Sequence, residues 1–471
     1  MELEELDQNA ASPEEGGSAA AHDKVASIKL TDAAVVKDVV QDAVWGEITD
    51  DGPNYRSLSF WRAVVLETKS QLGLGVLGMP ATFNTVGMIP GILICLSMAS
   101  IVTWTAYCMG RFKRNHPEVY SVGDAGGVVF GRIGKELFGL AYLLQMVTGV
   151  GSTMLSVSIS LNAISLNAIC TVAFVVIGAT VIASGAALKT LQNIGWLGWV
   201  GVTCIMVSVF TLSIGVGVTD RPSAAPQSGP WSKDTKLFGN PTLTEAMNAV
   251  NIMLFAYAGI PNYLPLASEM RNMQDYGKTV LVSQTFVTVI YLVISGVVYH
   301  FVGQYVSSPA LGSAGPMMKR VCYGLAFLGL VVGGVLNLHL LAKYLFVRIL
   351  GDTPHLSRST KIHNLTWYGL VGGCATVAFL IAEAIPVFSH LLSLTGALTC
   401  SVLCLQLQSF MWLYDNWTTE KRDNTWKVMS AFNIIINVLG WFIMGMGTYA
   451  AVIEIKNGST NKPFSCADNS A

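Results

Sequence analysis

Two apolar stretches of this 471-residue chain are interrupted by the residue types that least tolerate a helix. The first, VVLETKSQLGLGVLGMPATFNTVG, sets Gly73, Gly75 and Gly78 ahead of Pro80; the second, AVNIMLFAYAGIPNYLPLASEM, sets Gly259, Pro261 and Pro265 near its middle. Proline removes a backbone donor and clashes with the preceding turn, and glycine costs about 1 kcal/mol against alanine inside a helix. A broken helix leaves N–H and C=O groups without intrahelical partners. The freed N–H end is partly positive and suits a carboxylate; the freed carbonyls suit an ammonium group or a cation. A zwitterionic small molecule needs both. Proline kinks without a ligand are the alternative, because Gly and Pro are common in transmembrane helices. Two breaks at matched positions favour a site. It would be built from Gly73, Gly75, Val76 and Gly78 in the first stretch and from Phe255, Ala256, Tyr257, Ala258 and Gly259 in the second.

The segment Gly73-Leu74-Gly75-Val76-Leu77-Gly78 also fits a dinucleotide fingerprint literally. That fingerprint must follow a strand, open a helix and be answered by an acid about 20 residues on. Here it lies inside an apolar run and Leu96 to Ser100 offers no acid, which excludes the nucleotide reading. No nucleophile with its base, metal-ligand cluster or GxxxxGK[ST] loop is present, so neither an enzyme, a metal site, a cofactor nor a primary pump is expected. No ring-forming filter sequence supports a channel.

Charges inside apolar runs are costly and mark gates, relays or snorkelling side chains. Glu67 and Lys69 precede the first break and fit either a gate or proton relay or interfacial snorkelling. Glu269 and Arg271 close the second stretch as a candidate gate pair, and Glu383 and His300 fall near run ends as interfacial groups. In GLVVGGVLNLHLLAKY, His339 and Lys343 share one helix face, with Asn337 two residues before the histidine. His339 fits a titrating coupling group or a buried histidine satisfied by hydrogen bonds. Tyr142, Gln145 and Thr148 are further cavity candidates. Cys95, Cys108, Cys170, Cys204, Cys322, Cys374, Cys400 and Cys404 lie in apolar runs and read as packing residues rather than a disulfide framework.

Membrane-spanning helices must position these groups. The chain is 52% hydrophobic and 12% charged, against about 25% charged in soluble domains. A span needs about 20 apolar residues. Eleven runs qualify, at about 61–85, 88–110, 136–160, 168–188, 192–217, 245–268, 279–302, 321–348, 367–387, 388–414 and 428–454. Residues 1–55 are polar, begin acidic rather than as a signal peptide, and read as a largely disordered cytoplasmic tail in which 33–48 has the spacing of a short surface helix. Residues 56–455 form the spanning domain and 456–471 a short outer tail. Placing the N-terminus in the cytoplasm puts 21 of the 28 Lys and Arg residues on the inner side and the C-terminus outside. Asn457-Gly458-Ser459 is then a glycosylation acceptor pattern on the outer face. The near-zero net charge argues against nucleic acid; the partners are the lipid bilayer and a small molecule.

Spans 1 and 6, which carry the breaks, are five spans apart and therefore opposite in orientation, as two inverted five-helix repeats require. At LETKSQLGLGVLGMPATFNTVG, FAYAGIPNYLPLASEMRN and DYGKTV, the sequence resembles the amino acid/auxin permease family, particularly its fungal neutral amino-acid permeases, over about residues 58–455. It departs where Ile260 and Pro261 follow FAYAG, a place where many members are polar, and at Met273, where many carry proline. The resemblance implies an all-α polytopic membrane protein of the LeuT type, with eleven spans and broken helices 1 and 6. It also implies amino-acid uptake coupled to protons or sodium, at the plasma membrane or alternatively the vacuolar one. A nutrient sensor that keeps the site is a further alternative. Asn337 is the only oxygen-bearing side chain of run 8 before Tyr344. Sodium prefers several oxygen ligands, by analogy with other hard cations, so the residues of this run favour the proton, with His339 and Lys343 taking the place of a bound ion.

Overall fold

The computed structural model describes residues 40–42, 46–48, 58–188, 191–219, 221–222, 224–350, 353, 360–418, 422–457 and 463–469, without the side chains of 40–42, 46–48 and 191–197. The rest of the N-tail and the Gly458 and Ser459 positions of the acceptor triplet lie outside the described residues.

Within 33–48 the expected helix gives way to an antiparallel hairpin, β1 (Val40–Asp42) and β2 (Gly46–Ile48), in which Val40 is opposite Ile48. The β-branched Val40 and Ile48 at one end of the pair suit a ladder better than a helix.

The spanning domain is helical. Span 1 is split into α1 (Phe60–Gln71) and α2 (Leu74–Val86). Then follow α3 (Met88–Asn115), α4 (Val122–Ser165), α5 (Thr171–Ala186) and α6 (Leu191–Val218). Span 6 is split into α7 (Leu243–Phe255) and α8 (Tyr263–Glu269). It is followed by α9 (Tyr276–Val302), α10 (Pro316–Leu350) and α11 (Lys361–Ala384). Span 10 runs from α12 (Phe388–Thr395) through π-helical turns to α13 (Leu407–Trp417). Span 11 runs from α14 (Asn424–Phe442) through another π turn to α15 (Thr448–Asn457). Among the described residues, 9 helical stretches are long and apolar enough to cross a membrane unaided. The two expected spans not among them are the broken span 1 and the 16-residue α5. Outward-facing Leu93, Ile214, Val218, Leu281, Val289 and Val438 give the belt an apolar surface suited to lipid.

Run 3 begins earlier than its apolar spacing predicts. The Ser121–Asp124 capping box starts α4 at Val122, and Gly131, at φ 65°, turns the chain between a short leading segment and the span itself. Span 8 packs chiefly against spans 3 and 5, whereas span 7 packs against both halves of span 1 and against span 2.

Cys170 corrects the packing reading of the cysteines. Span 4 begins at Thr171, so Cys170 lies in the loop before it, and it is disulfide-bonded to Cys466 of the C-terminal tail. The tail is held there by further bonds: Thr171 Oγ1 donates to the Ala467 carbonyl at 2.6 Å and Asn162 Nδ2 to Asn469 Oδ1 at 2.7 Å. Residues Ser465, Ala467 and Asn469 line a cleft with Glu383, which lies near the end of its helix and is buried. Cys466→Ser is expected to make the tail cleavable by added protease and to lower the thermal midpoint of the purified protein by a few degrees; both are read directly on wild type and variant.

Candidate transport site

Span 1 breaks at Leu72–Gly73, seven residues ahead of Pro80, which is accommodated inside α2. Gly73, the N-cap of α2, supplies no side-chain cap, so the first N–H groups of α2 are left to other partners. A Cβ built on Gly73 would meet nothing within 4 Å. The other two glycines are occupied. A Cβ on Gly75 would come within 2.7 Å of Ala256 Cα, and one on Gly78 within 2.9 Å of Leu392 Cδ1. Gly259 likewise lies against the backbone of Ser70. Spans 1 and 6 therefore cross backbone to backbone at their breaks.

Span 6 unwinds over Ala256–Gly259, between α7 and a 3-10 turn at Ile260–Asn262. Three of its carbonyls are approached from three different spans, although that of Tyr257 also accepts from Ile260 N–H at 3.3 Å. The Tyr291 hydroxyl of α9 lies 2.8 Å from the Ala256 carbonyl and 2.9 Å from the Gln71 carbonyl at the end of α1, and has one hydrogen to share between them. Cys404 Sγ of span 10 lies 3.7 Å from the Tyr257 carbonyl. Gln145 Nε2 of α4 donates to the Ala258 carbonyl at 2.6 Å, and Gln145 Oε1 is buried with no partner among the described residues.

The three span 3 candidates separate. Tyr142 donates to Asn262 Oδ1 at 2.8 Å and Gln145 reaches the span 6 break, whereas Thr148 bonds back to Leu144 of its own helix at 2.8 Å. Val76, Phe255 and Tyr257 are buried at the crossing, and the Tyr257 hydroxyl lies 3.2 Å from Thr288 Oγ1. Tyr291, Asn262 and Cys404 gave no signal in the sequence, being lone residues in apolar runs; only the fold brings them to the breaks.

The titratable candidates scatter. Glu67 is fully buried, which ends the snorkelling reading, and its carboxyl oxygens accept from Thr279 and Ser283 of α9. Lys69 points the other way, onto Gly198 of span 5. His339 is buried between spans, its Nδ1 3.2 Å from the Ala186 carbonyl and its ring 5.1 Å from that of Trp367. Asn337 and Lys343 are half-buried on the same span. Glu269 and Arg271 form no ion pair with each other. Their backbone brackets Leu58 instead, Leu58 N–H donating to the Glu269 carbonyl and Arg271 N–H to the Leu58 carbonyl, each at 3.0 Å.

Spans 1 and 6, broken and crossed, belong to a transporter of the LeuT-type fold, two five-span repeats of inverted topology. Two solved structures are similar in fold. A Na+-coupled sialic acid symporter in a substrate-bound outward-open state has a TM-score of 0.52 at 10% identity, with 85% of this chain and 90% of that one covered. A nucleobase-cation-symport-1 family transporter in a closed conformation has a TM-score of 0.52 at 13% identity, covering 87% and 94%. Residues 56–453 match the model of the family described as transmembrane amino acid transporter protein, and the chain belongs to that family. Its relatives include a transmembrane transporter of Fusarium pseudograminearum, 34% identical with 92% of this chain and 91% of the relative covered. Another is the N amino acid transport system protein of Neurospora crassa, 31% identical with 89% and 91% covered. A more distant one is the amino acid transporter AVT3C of Arabidopsis thaliana, 23% identical with 82% and 88% covered.

Proposed function

We propose that this protein imports neutral, bulky amino acids across the plasma membrane by alternating access and proton symport, with its N-terminus in the cytoplasm and its C-terminus outside. The crossing of the two breaks carries this reading. The uncapped N–H groups of α2 from Gly73 onward are placed to receive the substrate carboxylate. The carbonyls of Gln71, Ala256 and Ala258, now served by Tyr291 and Gln145, are placed to receive its ammonium group. Around them stand Val76, Leu77, Met79, Phe255, Tyr257 and Ile260, all buried, with no acid or base to pair with a charged substrate side chain. An unpaired charge among such side chains is costly.

The Neurospora relative, named for amino acid transport, supports the substrate class. The Cys170–Cys466 bond supports an outer C-terminus, since disulfides persist in oxidising compartments. Within this reading residues 1–55 are the cytoplasmic tail, 56–455 the transport domain and 456–471 the outer tail.

The test is uptake and counterflow of a labelled amino-acid panel into proteoliposomes at about pH 5 and 7, with sodium or choline. Leucine and phenylalanine are expected to exceed arginine and glutamate, and uptake to rise at the lower external pH, to ignore sodium and to collapse with a protonophore. Arginine or glutamate transported better than leucine would overturn the substrate assignment; strict sodium dependence would overturn proton symport.

A further inference from the structure

We propose that Glu67 is the proton-binding site of this carrier, held in both protonation states by the Thr279 and Ser283 hydroxyls of span 7. This rests on the carrier reading above and names the group that the driving ion occupies. Glu67 lies on α1, four residues before its last residue Gln71, and is 0% exposed. Its Oε1 accepts from Thr279 Oγ1 at 2.9 Å and its Oε2 from Ser283 Oγ at 2.8 Å. Each hydroxyl has a second acceptor on its own helix: the Tyr276 carbonyl, 2.8 Å from Thr279 Oγ1, and the Val280 carbonyl, 3.1 Å from Ser283 Oγ.

That pairing serves either state without leaving a buried group unmade. As a carboxylate, Glu67 takes one hydrogen from each hydroxyl. As an acid, it donates its own hydrogen to one hydroxyl oxygen, and that hydroxyl turns its hydrogen to the carbonyl three residues earlier. A proton arriving from outside forms the O–H bond on Glu67 and leaves by the same bond to the inside; nothing else is consumed.

A structural carboxylate in a membrane span is normally paired with a cation. Among the described residues no Lys, Arg or His lies within ion-pair distance of Glu67. On its own helix, Lys69 is turned to Gly198 of span 5. From span 6, the titratable group facing it is Tyr263, whose hydroxyl lies 3.4 Å from the Glu67 carbonyl. From span 7 it is Tyr276, within electrostatic reach of Glu67. Both are phenols, uncharged at about pH 5 to 7. Glu67 is thus the one carboxyl in this cluster, and the geometry lets it keep its hydrogen bonds with or without a proton.

The same cluster joins the proton to the substrate. Tyr263 Oη accepts from Gln71 Nε2 at 2.5 Å, and the Gln71 carbonyl is one of the two that Tyr291 bridges at the break. The charged form of Glu67 takes two charge-assisted hydrogen bonds from span 7, and the neutral form takes weaker ones. Protonation therefore weakens the hold of span 7 on α1, which in this proposal is the inner half of span 1.

The test uses the full-length purified protein, comparing wild type with Glu67→Gln. Infrared difference spectra should show a carboxyl C=O band that titrates in wild type and is lost in E67Q. In proteoliposomes, E67Q should still catalyse leucine counterflow, at reduced rate, but should neither accumulate leucine nor respond to external pH. A titrating band, or pH-driven accumulation, that survives in E67Q overturns the proposal. If wild-type uptake ignores pH and protonophore while the band titrates and vanishes in E67Q, the site stands and the symport reading falls. Should E67Q fail to fold, Thr279→Val combined with Ser283→Ala keeps the carboxyl and strips both donors. The midpoint of the band should then move to higher pH, by roughly a unit, as the charged form loses its hydrogen bonds. An unchanged midpoint overturns the assignment.

Discussion

Gly75→Val is expected to lower amino-acid uptake by roughly 5- to 150-fold, with the protein still reaching the membrane. A Cβ at this position would lie 2.7 Å from Ala256 Cα, 2.9 Å from Ala256 Cβ and 3.1 Å from the Tyr291 hydroxyl. Two of these neighbours belong to the unwound part of span 6, and backbone cannot rotate aside as a side chain can. Overpacking of a tight contact costs about 1–3 kcal/mol, and each 1.4 kcal/mol is tenfold in a population. The cost falls on the crossing of spans 1 and 6, so lost transport rather than lost protein is the expected readout. Gly73→Ala is the contrasting case. Its Cβ has open space, and the residue's φ of 176° is extended backbone open to any residue. Normal surface level and a raised KM are expected there, because the added methyl stands beside the N–H groups assigned to the carboxylate. Surface labelling with kinetics on both variants checks the pair; normal uptake by Gly75→Val would remove the crossing from the mechanism.

The glycines were legible as important, but for only part of the right reason. Sequence predicts that Gly73, Gly75 and Gly78 clear a path for a ligand to the backbone. In the folded chain Gly75 and Gly78 clear a path for span 6 and span 10, and only Gly73 faces open space. A one-dimensional pattern records that a Cβ is excluded and not what excludes it. The spans themselves were readable, because apolar runs of about 20 residues have few alternatives in lipid. The short segment that leads into span 3 before Gly131 was not readable in the same way: it is a helix defined by its capping box, not by apolar length.

The polar contacts of the site were hidden by their long range. Glu67 and Ser283, or Tyr291 and Gln71, are separated by more than two hundred residues. Nothing local distinguishes Ser283 from the many hydroxyls that bond back to their own helix, as Thr285 does to the Leu281 carbonyl at 2.7 Å. His339 shows the converse. A histidine beside Asn337 and Lys343 draws attention in sequence, yet span 8 rests on spans 3 and 5 and turns the ring toward Ala186 and Trp367. Cys170 likewise looks like one more small apolar residue until the tail is seen to return from the end of span 11.

Tyr291→Phe is expected to reduce net uptake by roughly 5- to 150-fold while amino-acid exchange is much less affected. The Tyr291 hydroxyl is the internal donor for two carbonyls at the breaks, one ending α1 and one ending α7. The residue is 0% exposed, so phenylalanine leaves both carbonyls without that donor in a place that water does not readily reach. A buried acceptor deprived of its partner costs about 1–3 kcal/mol, which gives the range above. A substrate ammonium carries three donors and can serve the same carbonyls, so the penalty applies when the carrier closes empty and largely disappears when it closes loaded. Net uptake needs the empty carrier to close and return on every cycle; exchange does not. The asymmetry between the two assays is therefore the signature, and it also separates this residue from Glu67. The Tyr291 variant should keep the pH response of whatever uptake remains, whereas E67Q should lose it. Equal losses in net uptake and exchange would mean that Tyr291 only supports the packing of span 7 against spans 1 and 6, and its role as a stand-in for the substrate amino group would be abandoned.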